Sequence, residues 1–224
     1  MRTSKLLSSS PTVNSFLSEA TSVGFPVIER TYDKDQLIYS RGDKTAGLYF
    51  IVSGKVKVSL LSKQGQEKIL YLLSAGEVFG ELSLISRQRT ERATACEPTR
   101  VNVMATDQIR ARIERDGQFA LRWLQLLCQK IAILQEEVAS EAFYPVKHRL
   151  PKTLLRLAET FGIRDNGDVH IVGVTHETLA QLLGVGRETV SKLMLSLRAE
   201  QLISYRRGCI SIREDLLQPS TRLT

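Results

Sequence analysis

The stretch THETLAQLLGVGRETVSKLMLSLRAEQLIS, residues 175–204, changes character at its middle. Thr175, with Glu177 and Thr178 behind it, forms an N-cap and first turn, since a side-chain oxygen there accepts from backbone N–H groups that a helix start leaves unpaired. Leu179, Leu182 and Leu183 make an apolar face, and Gly184-Val185-Gly186 breaks the helix. A second helix restarts at Arg187 with Val190, Leu193, Met194 and Leu197 on its inner side. Ala180 is small enough for the two helices to cross closely. Two short helices joined by a glycine turn are the arrangement that offers the second helix to a DNA major groove.

The side chains left on the outer face suit that use. Arg187 can donate twice to guanine, Glu188 can accept from cytosine, and Lys192 can reach guanine or phosphate. Thr175, His176 and Thr189 complete the expected contact set on this motif. Downstream, LISYRRGCISI, residues 202–212, reads as two short strands around Arg206-Arg207-Gly208, a hairpin wing whose arginines can lie on phosphates. From Arg187 to Arg213 there are six Arg/Lys residues against Glu188 and Glu200, a local basic patch.

Working outward, the 224 residues are enough for two modest domains, with 42% hydrophobic and 25% charged residues and a net charge of +7. The composition is that of an ordinary globular protein with a polyanionic partner. No apolar run reaches the roughly 18 to 20 residues of a membrane span. The basic start lacks an apolar core of the secretory type, so a cytoplasmic chain with no membrane association is expected. Cys96, Cys128 and Cys209 are far apart and odd in number, which excludes a disulfide framework and paired-cysteine metal knuckles. No nucleophile–base pair, metal-ligand cluster or phosphate-binding glycine run marks an enzyme.

The first half reads as short strands punctuated by glycine. LYFIVSG, KVKVSLLSKQG, EKILYLLSAG and RATACEPTRVNVMA follow at intervals of about ten residues, which predicts a small barrel or jelly roll over 27–106. Ahead of it, residues 1–26 read as an N-terminal extension. Over 107–144 the period changes. Leu121, Leu124, Leu127, Ile131, Leu134 and Val138 recur at three- and four-residue spacing, which predicts one apolar seam along a single helix and a parallel pair of such helices. From 145 the chain enters the last domain, with a helix over Lys147–Phe161, a polar turn at 164–168 and a short strand over His170–Val174. One stretch of the barrel, FGELSLISRQRTERATA at 79–95, places Gly80 and Glu81 beside a short apolar run and then Arg87, Arg89 and Arg92.

With these motifs in this order, GDKTAGLYFIVSGKVKV, LSAGEVFGELSLI, the long helix and VTHETLAQLLGVGRETVSKL, the chain resembles the cAMP receptor protein/fumarate-nitrate regulator (CRP/FNR) family over about Val27 to Leu217. The resemblance implies an α+β chain: an N-terminal β-roll of the jelly-roll, cyclic-nucleotide-binding kind, a long dimerisation helix and a C-terminal winged helix-turn-helix. It implies a homodimer on a palindromic promoter site in double-stranded DNA, RNA polymerase as a partner, and activating contacts in the loop from Arg164 to His170.

The same resemblance gives 79–95 a role as a phosphate-binding cassette. Gly80, Glu81 and Leu82 would take the ribose side of a cyclic nucleotide, cAMP first among them, and Arg92 with the backbone of Ala93 and Thr94 would take its phosphate. An ion pair of Glu81 with Arg92 is the alternative use of both. Leu134 and Gln135 stand where the family clasps adenine with a Thr-Ser pair, which leaves room for a different effector such as 2-oxoglutarate, or for none. His148, His170 and His176 all follow the sensor domain, and only Cys96 of the cysteines lies in it, so neither haem, a metal nor an iron–sulfur cluster is expected.

Overall fold

The computed structural model of the chain describes residues 26–206 and 208–217. The expected N-terminal extension therefore lies outside the described residues except for Pro26. The chain divides into two compact units with the boundary between Leu134 and Gln135.

Eight strands build the first unit: β1 (Ile28–Tyr32), β2 (Leu37–Tyr39), β3 (Leu48–Ser53), β4 (Lys55–Leu61), β5 (Glu67–Ser74), β6 (Val78–Phe79), β7 (Arg92–Ala95) and β8 (Thr99–Met104). They form two four-stranded antiparallel sheets of order β1-β8-β3-β6 and β2-β7-β4-β5. Alternation along the strands turns Ile51, Val56, Val58, Ala93, Val101 and Phe79 into the core between the sheets.

The helical region expected as one rod over 107–144 is two helices, α1 (Thr106–Arg115) and α2 (Gly117–Phe143). Asp116 makes the break. Its backbone N–H closes α1 on the Arg112 carbonyl, while its carboxylate accepts from the Phe119 N–H at 3.0 Å and from Arg112 at 2.9 Å, so one residue ends one helix and starts the next.

The apolar pattern on α2 also divides into two faces rather than forming the single seam expected. Phe119, Trp123 and Leu126 are buried against Leu48, Phe50, Val78 and Met104 of the barrel, and Leu127 packs at the edge of that cluster. Leu121, Leu124, Ile131 and Val138 remain 50%, 58%, 54% and 66% exposed. With exposed Cys128 and Gln135 between them they keep a 3-4-3-4-3 spacing, so the outward seam runs 121, 124, 128, 131, 135, 138. Leu127 and Leu134, both half-buried, leave the seam because they sit about a quarter of a turn from its axis, toward the buried face.

The second unit holds the end of α2, α3 (Val146–Phe161), β9 (Ile163–Asp165), β10 (Asp168–Val172), α4 (His176–Leu183), α5 (Arg187–Ala199), β11 (Ile203–Arg206) and β12 (Cys209–Arg213). Its sheet has the order β11-β12-β10-β9. Leu150, Leu154, Ile171, Leu179, Val190 and Met194 are the fully buried centre. The loop expected from Arg164 to His170 is the tip of a hairpin, because Asn166 and Gly167 both take positive φ (49° and 83°), the geometry of a tight two-residue turn. The strand beyond it accordingly starts at Asp168, two residues before the expected His170.

Candidate functional site

The helix-turn-helix is set by caps at three points. Thr175 Oγ1 accepts from the Thr178 N–H at 3.0 Å and starts α4. At its end Gly184 adopts φ 67°, ψ 37°, a left-handed conformation that glycine takes without a Cβ clash, and the Val185 N–H reaches the Ala180 carbonyl at 3.1 Å. The buried Arg149 guanidinium of α3 donates to the last α4 carbonyl, Leu183, at 3.1 Å, where a cation also meets the negative helix end. Then α5 restarts at Arg187, and burial of Val190 and Met194 fixes its rotation. That rotation leaves Arg187, Glu188, Thr189 and Lys192 exposed.

Other residues expected on DNA take different places. Thr175 is exposed, with its hydroxyl engaged in the cap. His176 is half-buried: Nδ1 lies 3.0 Å from Ser191 Oγ on α5, and its ring meets Tyr205 of the wing edge-on at 5.5 Å. Arg198 stacks on the same tyrosine at 5.3 Å. His176 thus ties the first helix to the second and to the wing, a packing role in place of the expected backbone contact. Arg206 is exposed at the end of β11. Arg207 lies outside the described residues.

In the barrel, Gly80 is left-handed (φ 78°, ψ 19°) and leads a 3₁₀ turn over Glu81–Leu84. A Cβ there would stand 2.6 Å from Nη1 of Arg89. Leu82 is exposed. Glu81 does not pair with Arg92: its Oε2 accepts from Lys130 Nζ of α2 at 2.8 Å, with the two side chains only 11% and 14% exposed. Lys130 Nζ also donates to the Val78 carbonyl at 3.0 Å and lies 5.1 Å from the centre of the Tyr71 ring.

Strand alternation explains why Arg92 is elsewhere. Ala93 packs in the core between the sheets, and Tyr39, also in that core, donates its hydroxyl to Glu91 Oε1 at 3.1 Å, so Glu91, Ala93 and Ala95 face inward. Arg92 and Thr94 then face the other way, opposite Ser59 and Lys57, which share Glu67 through bonds of 2.6 and 2.8 Å. On that outer face Arg92 Nε and Thr94 Oγ1 are buried without a hydrogen-bond partner among the described residues.

The arginine inside the barrel is Arg89. It is 4% exposed, lies 4.2 Å above the Tyr39 ring, and donates to the carbonyls of Gly80 (3.0 Å) and Gly47 (2.6 Å). Burial, and then Glu91 beside it, push the Tyr39 phenol far above its usual range; burial, then Glu81 and Glu91, do the same for Tyr71. Both stay neutral donors at any physiological pH. Leu134 and Gln135 of α2 diverge: Leu134 is half-buried one turn beyond Lys130, and Gln135 is exposed on the outward seam.

Of the residues expected on a cyclic nucleotide, Gly80 and Glu81 lie together in the cassette with Lys130 on Glu81 Oε2, whereas Arg92 faces outward and the arginine inside, against Gly80, is Arg89. Sequence reasoning missed Lys130, Arg89 and Glu91. Two signals point to them: Lys130 follows Phe119, Trp123 and Leu126 at helical spacing, and the small residues Ala93 and Ala95 mark the inward parity of β7.

Among the described residues no group of three or more His, Cys, Asp or Glu side chains could hold a metal ion, and no helix is long and apolar enough to cross a membrane.

Comparison with known proteins agrees with this architecture. Residues 29–116 match the family described as cyclic nucleotide-binding domain, and residues 148–217 match the Crp-like helix-turn-helix domain. The CRP-like cAMP-activated global transcriptional regulator of Mycobacterium tuberculosis is 31% identical over 165 residues, 73% of this chain and 74% of that protein. The global nitrogen regulator of a Synechocystis species is 30% identical over 191 residues, 84% of each chain. A crystal structure of a CRP-family transcriptional regulator from Thermus thermophilus superposes with a TM-score of 0.74 at 26% identity, covering 86% of this chain and 96% of that one. A sensor-type barrel followed by a Crp-like reading head, shared with such relatives over most of its length, makes this chain a member of the CRP/FNR family of transcription regulators, which are not enzymes.

Proposed function

We propose that the chain acts as a homodimer that reads a palindromic promoter site through α5, with RNA polymerase as its downstream partner in the cytoplasm. The observation that carries the reading is the fixed rotation of α5, which buries Val190 and Met194 and leaves Arg187, Glu188, Thr189 and Lys192 outward. A homodimer on a palindromic site needs its two recognition helices about one DNA turn, roughly 34 to 36 Å, apart. An apolar helical stripe of this regularity needs a partner, and a second copy offers the identical stripe.

Cys128 provides the test. At an inner position of a parallel pair, the two copies' Cys128 side chains face each other across the two-fold axis within disulfide reach. Mild oxidation of the purified chain should give a covalent dimer that Cys128→Ser abolishes and Cys209→Ser does not. A monomer on gel filtration at micromolar concentration, with no crosslink, contradicts the dimer.

For the effector, the domain family suggests a cyclic nucleotide and the resemblance suggests cAMP, held by Gly80, Glu81 and Leu82 with Arg92, Ala93 and Thr94. The outward Arg92 favours the second reading, the same DNA-binding regulator set by a different effector such as 2-oxoglutarate, or by none. Calorimetry with cAMP, cGMP and 2-oxoglutarate separates the two: heat from a cyclic nucleotide at micromolar concentration restores the first.

A further inference from the structure

We infer that Leu195 of α5 reads the 5-methyl group of a thymine in each half-site, an apolar base contact beside the polar ones of Glu188 and Lys192. The inference rests on the reading of α5 as the helix that enters the major groove, and names a base that the charged residues alone do not select.

Burial fixes the rotation of α5. Val190 and Met194 are both 0% exposed, with Leu193 and Leu197 half-buried on the same side. At about 3.6 residues per turn the direction opposite these four carries Glu188, Lys192, Leu195 and Ala199, and all four are exposed. Leu195, 56% exposed, therefore lies within the charged stripe and not at the rim of the core.

A lone exposed leucine needs no explanation in itself. This one stands seven residues after Glu188, with Ser191 and Lys192 three and four residues after it, and a helix lying in the major groove reads base edges from that set of positions. Ser191 is half-buried with its hydroxyl 3.0 Å from His176 Nδ1, which leaves Glu188, Lys192 and Leu195 to face outward. From Glu188 to Leu195 the helix rises about 10.5 Å, about three base-pair steps of about 3.4 Å. The three side chains therefore meet different base pairs.

The chemistry of the side chain selects the target. An isobutyl group neither donates nor accepts, and pressed against a polar base edge it would strip water without replacing a hydrogen bond. The apolar group that a base pair offers in the major groove is the thymine methyl. The neighbours favour DNA as the partner as well. Three positions either way along α5 stand Lys192 and Arg198, both exposed, and cations on both sides draw a phosphate-lined groove where an apolar protein surface would have to bury them.

The experiment uses the full-length chain and the palindrome enriched from a random duplex pool, with selections run with and without cAMP and affinity read by fluorescence anisotropy. Each thymine of a half-site is replaced in turn, in both halves together, by deoxyuridine, which pairs identically and lacks only the methyl. At one position the replacement should weaken wild-type binding by about fourfold per half-site, the worth of one buried methyl group. Leu195→Ala should lose that difference, binding the thymine and deoxyuridine duplexes within about twofold of each other, because the shortened side chain leaves no methyl contact to remove. It should still prefer the palindrome to scrambled DNA through Arg187, Glu188 and Lys192. Leu195→Met, apolar and of similar reach, should keep the methyl effect.

An enriched half-site without thymine, or equal wild-type affinity for the thymine and deoxyuridine duplexes at every position, overturns the inference and leaves the reading of DNA by α5 intact. So does a methyl effect that persists undiminished in Leu195→Ala, which would assign it to another side chain. No enriched motif in either selection overturns the inference together with the DNA-binding reading.

Discussion

On α5, Arg187, Glu188 and Lys192 project into water; in the barrel, Glu81, Glu91, Arg89 and Lys130 are each held by another group of the same chain. The two regions are comparably rich in charge and differ in where its partners come from. An exposed charge keeps its hydration and can wait for a phosphate or a base edge. A buried one must be paired within the fold or be very costly. The reading head therefore offers its charges to an external partner, while in the sensor domain Glu81 is met by Lys130, and Arg89 by the Gly80 and Gly47 carbonyls.

The contrast breaks most completely on α5. Replacing Arg187, Glu188 and Lys192 together by alanine should abolish preference for the selected palindrome, with Arg187→Ala alone costing about 1 to 3 kcal/mol and relaxing preference at one base pair. Arg206→Ala should weaken matched and scrambled sites alike and reduce the salt dependence, as a phosphate contact does. Anisotropy titrations on both DNAs at two salt concentrations check this, and equal losses for Arg187→Ala and Arg206→Ala on both DNAs contradict the division of roles.

Next in size is the seating of α2. Trp123→Ala removes an almost fully buried indole from the barrel cluster and should cost about 3 to 5 kcal/mol in denaturant unfolding. Leu124→Ala, on the exposed seam, should cost the unfolding of a monomer little and weaken the dimer instead. A reversal of these two effects would mean that the faces of α2 have been exchanged.

Arg89→Met comes third. It keeps the stem over Tyr39 but takes the Arg89 donor from the Gly47 carbonyl and one of two donors from the Gly80 carbonyl, which also accepts from the Ser83 N–H, and a stranded buried acceptor costs about 1 to 3 kcal/mol. Chemical denaturation that finds no loss would show that the guanidinium is not what holds the cassette.

The smallest effect sharpens the outer face of β7. Burial alone would raise the Glu67 carboxyl, but hydrogen bonds from Lys57 and Ser59 outweigh it and hold it below the usual carboxylate range. A folded pKa below the unfolded one gives stability that is present above the unfolded value and lost as pH falls through the folded value. Wild type should therefore lose more stability than Glu67→Gln between about pH 5 and pH 3. Parallel pH profiles for the two proteins would contradict it.

Much of this was legible in the sequence, for local reasons. Helix caps, a glycine at a left-handed turn and burial at 3.6-residue spacing are all written within a dozen residues, so the reading head from Thr175 to Arg206 could be laid out residue by residue. The strands of the barrel were legible for the same reason, through alternation and turn glycines.

Long-range pairing was not. Lys130 meets Glu81 across 49 positions, and Arg89 meets Gly47 across 42; neither contact leaves a local trace. The parity of β7 was readable, since Ala93 and Ala95 alternate with Arg92 and Thr94, but the family pattern drew attention to the arginine and away from the inward Glu91. On α2, two apolar faces a third of a turn apart merge into one in a pattern of threes and fours, and only packing against the barrel separates Leu127 from the Leu124–Cys128–Ile131 seam.

The most direct measurement is selection of bound sequences from a random duplex pool by the purified full-length chain, repeated with the Arg187→Ala, Glu188→Ala, Lys192→Ala triple variant. The expected result is a two-fold symmetric motif with half-site centres about 10 base pairs apart for wild type, and no enriched motif for the variant. The same motif from both proteins, or none from wild type, would contradict the account.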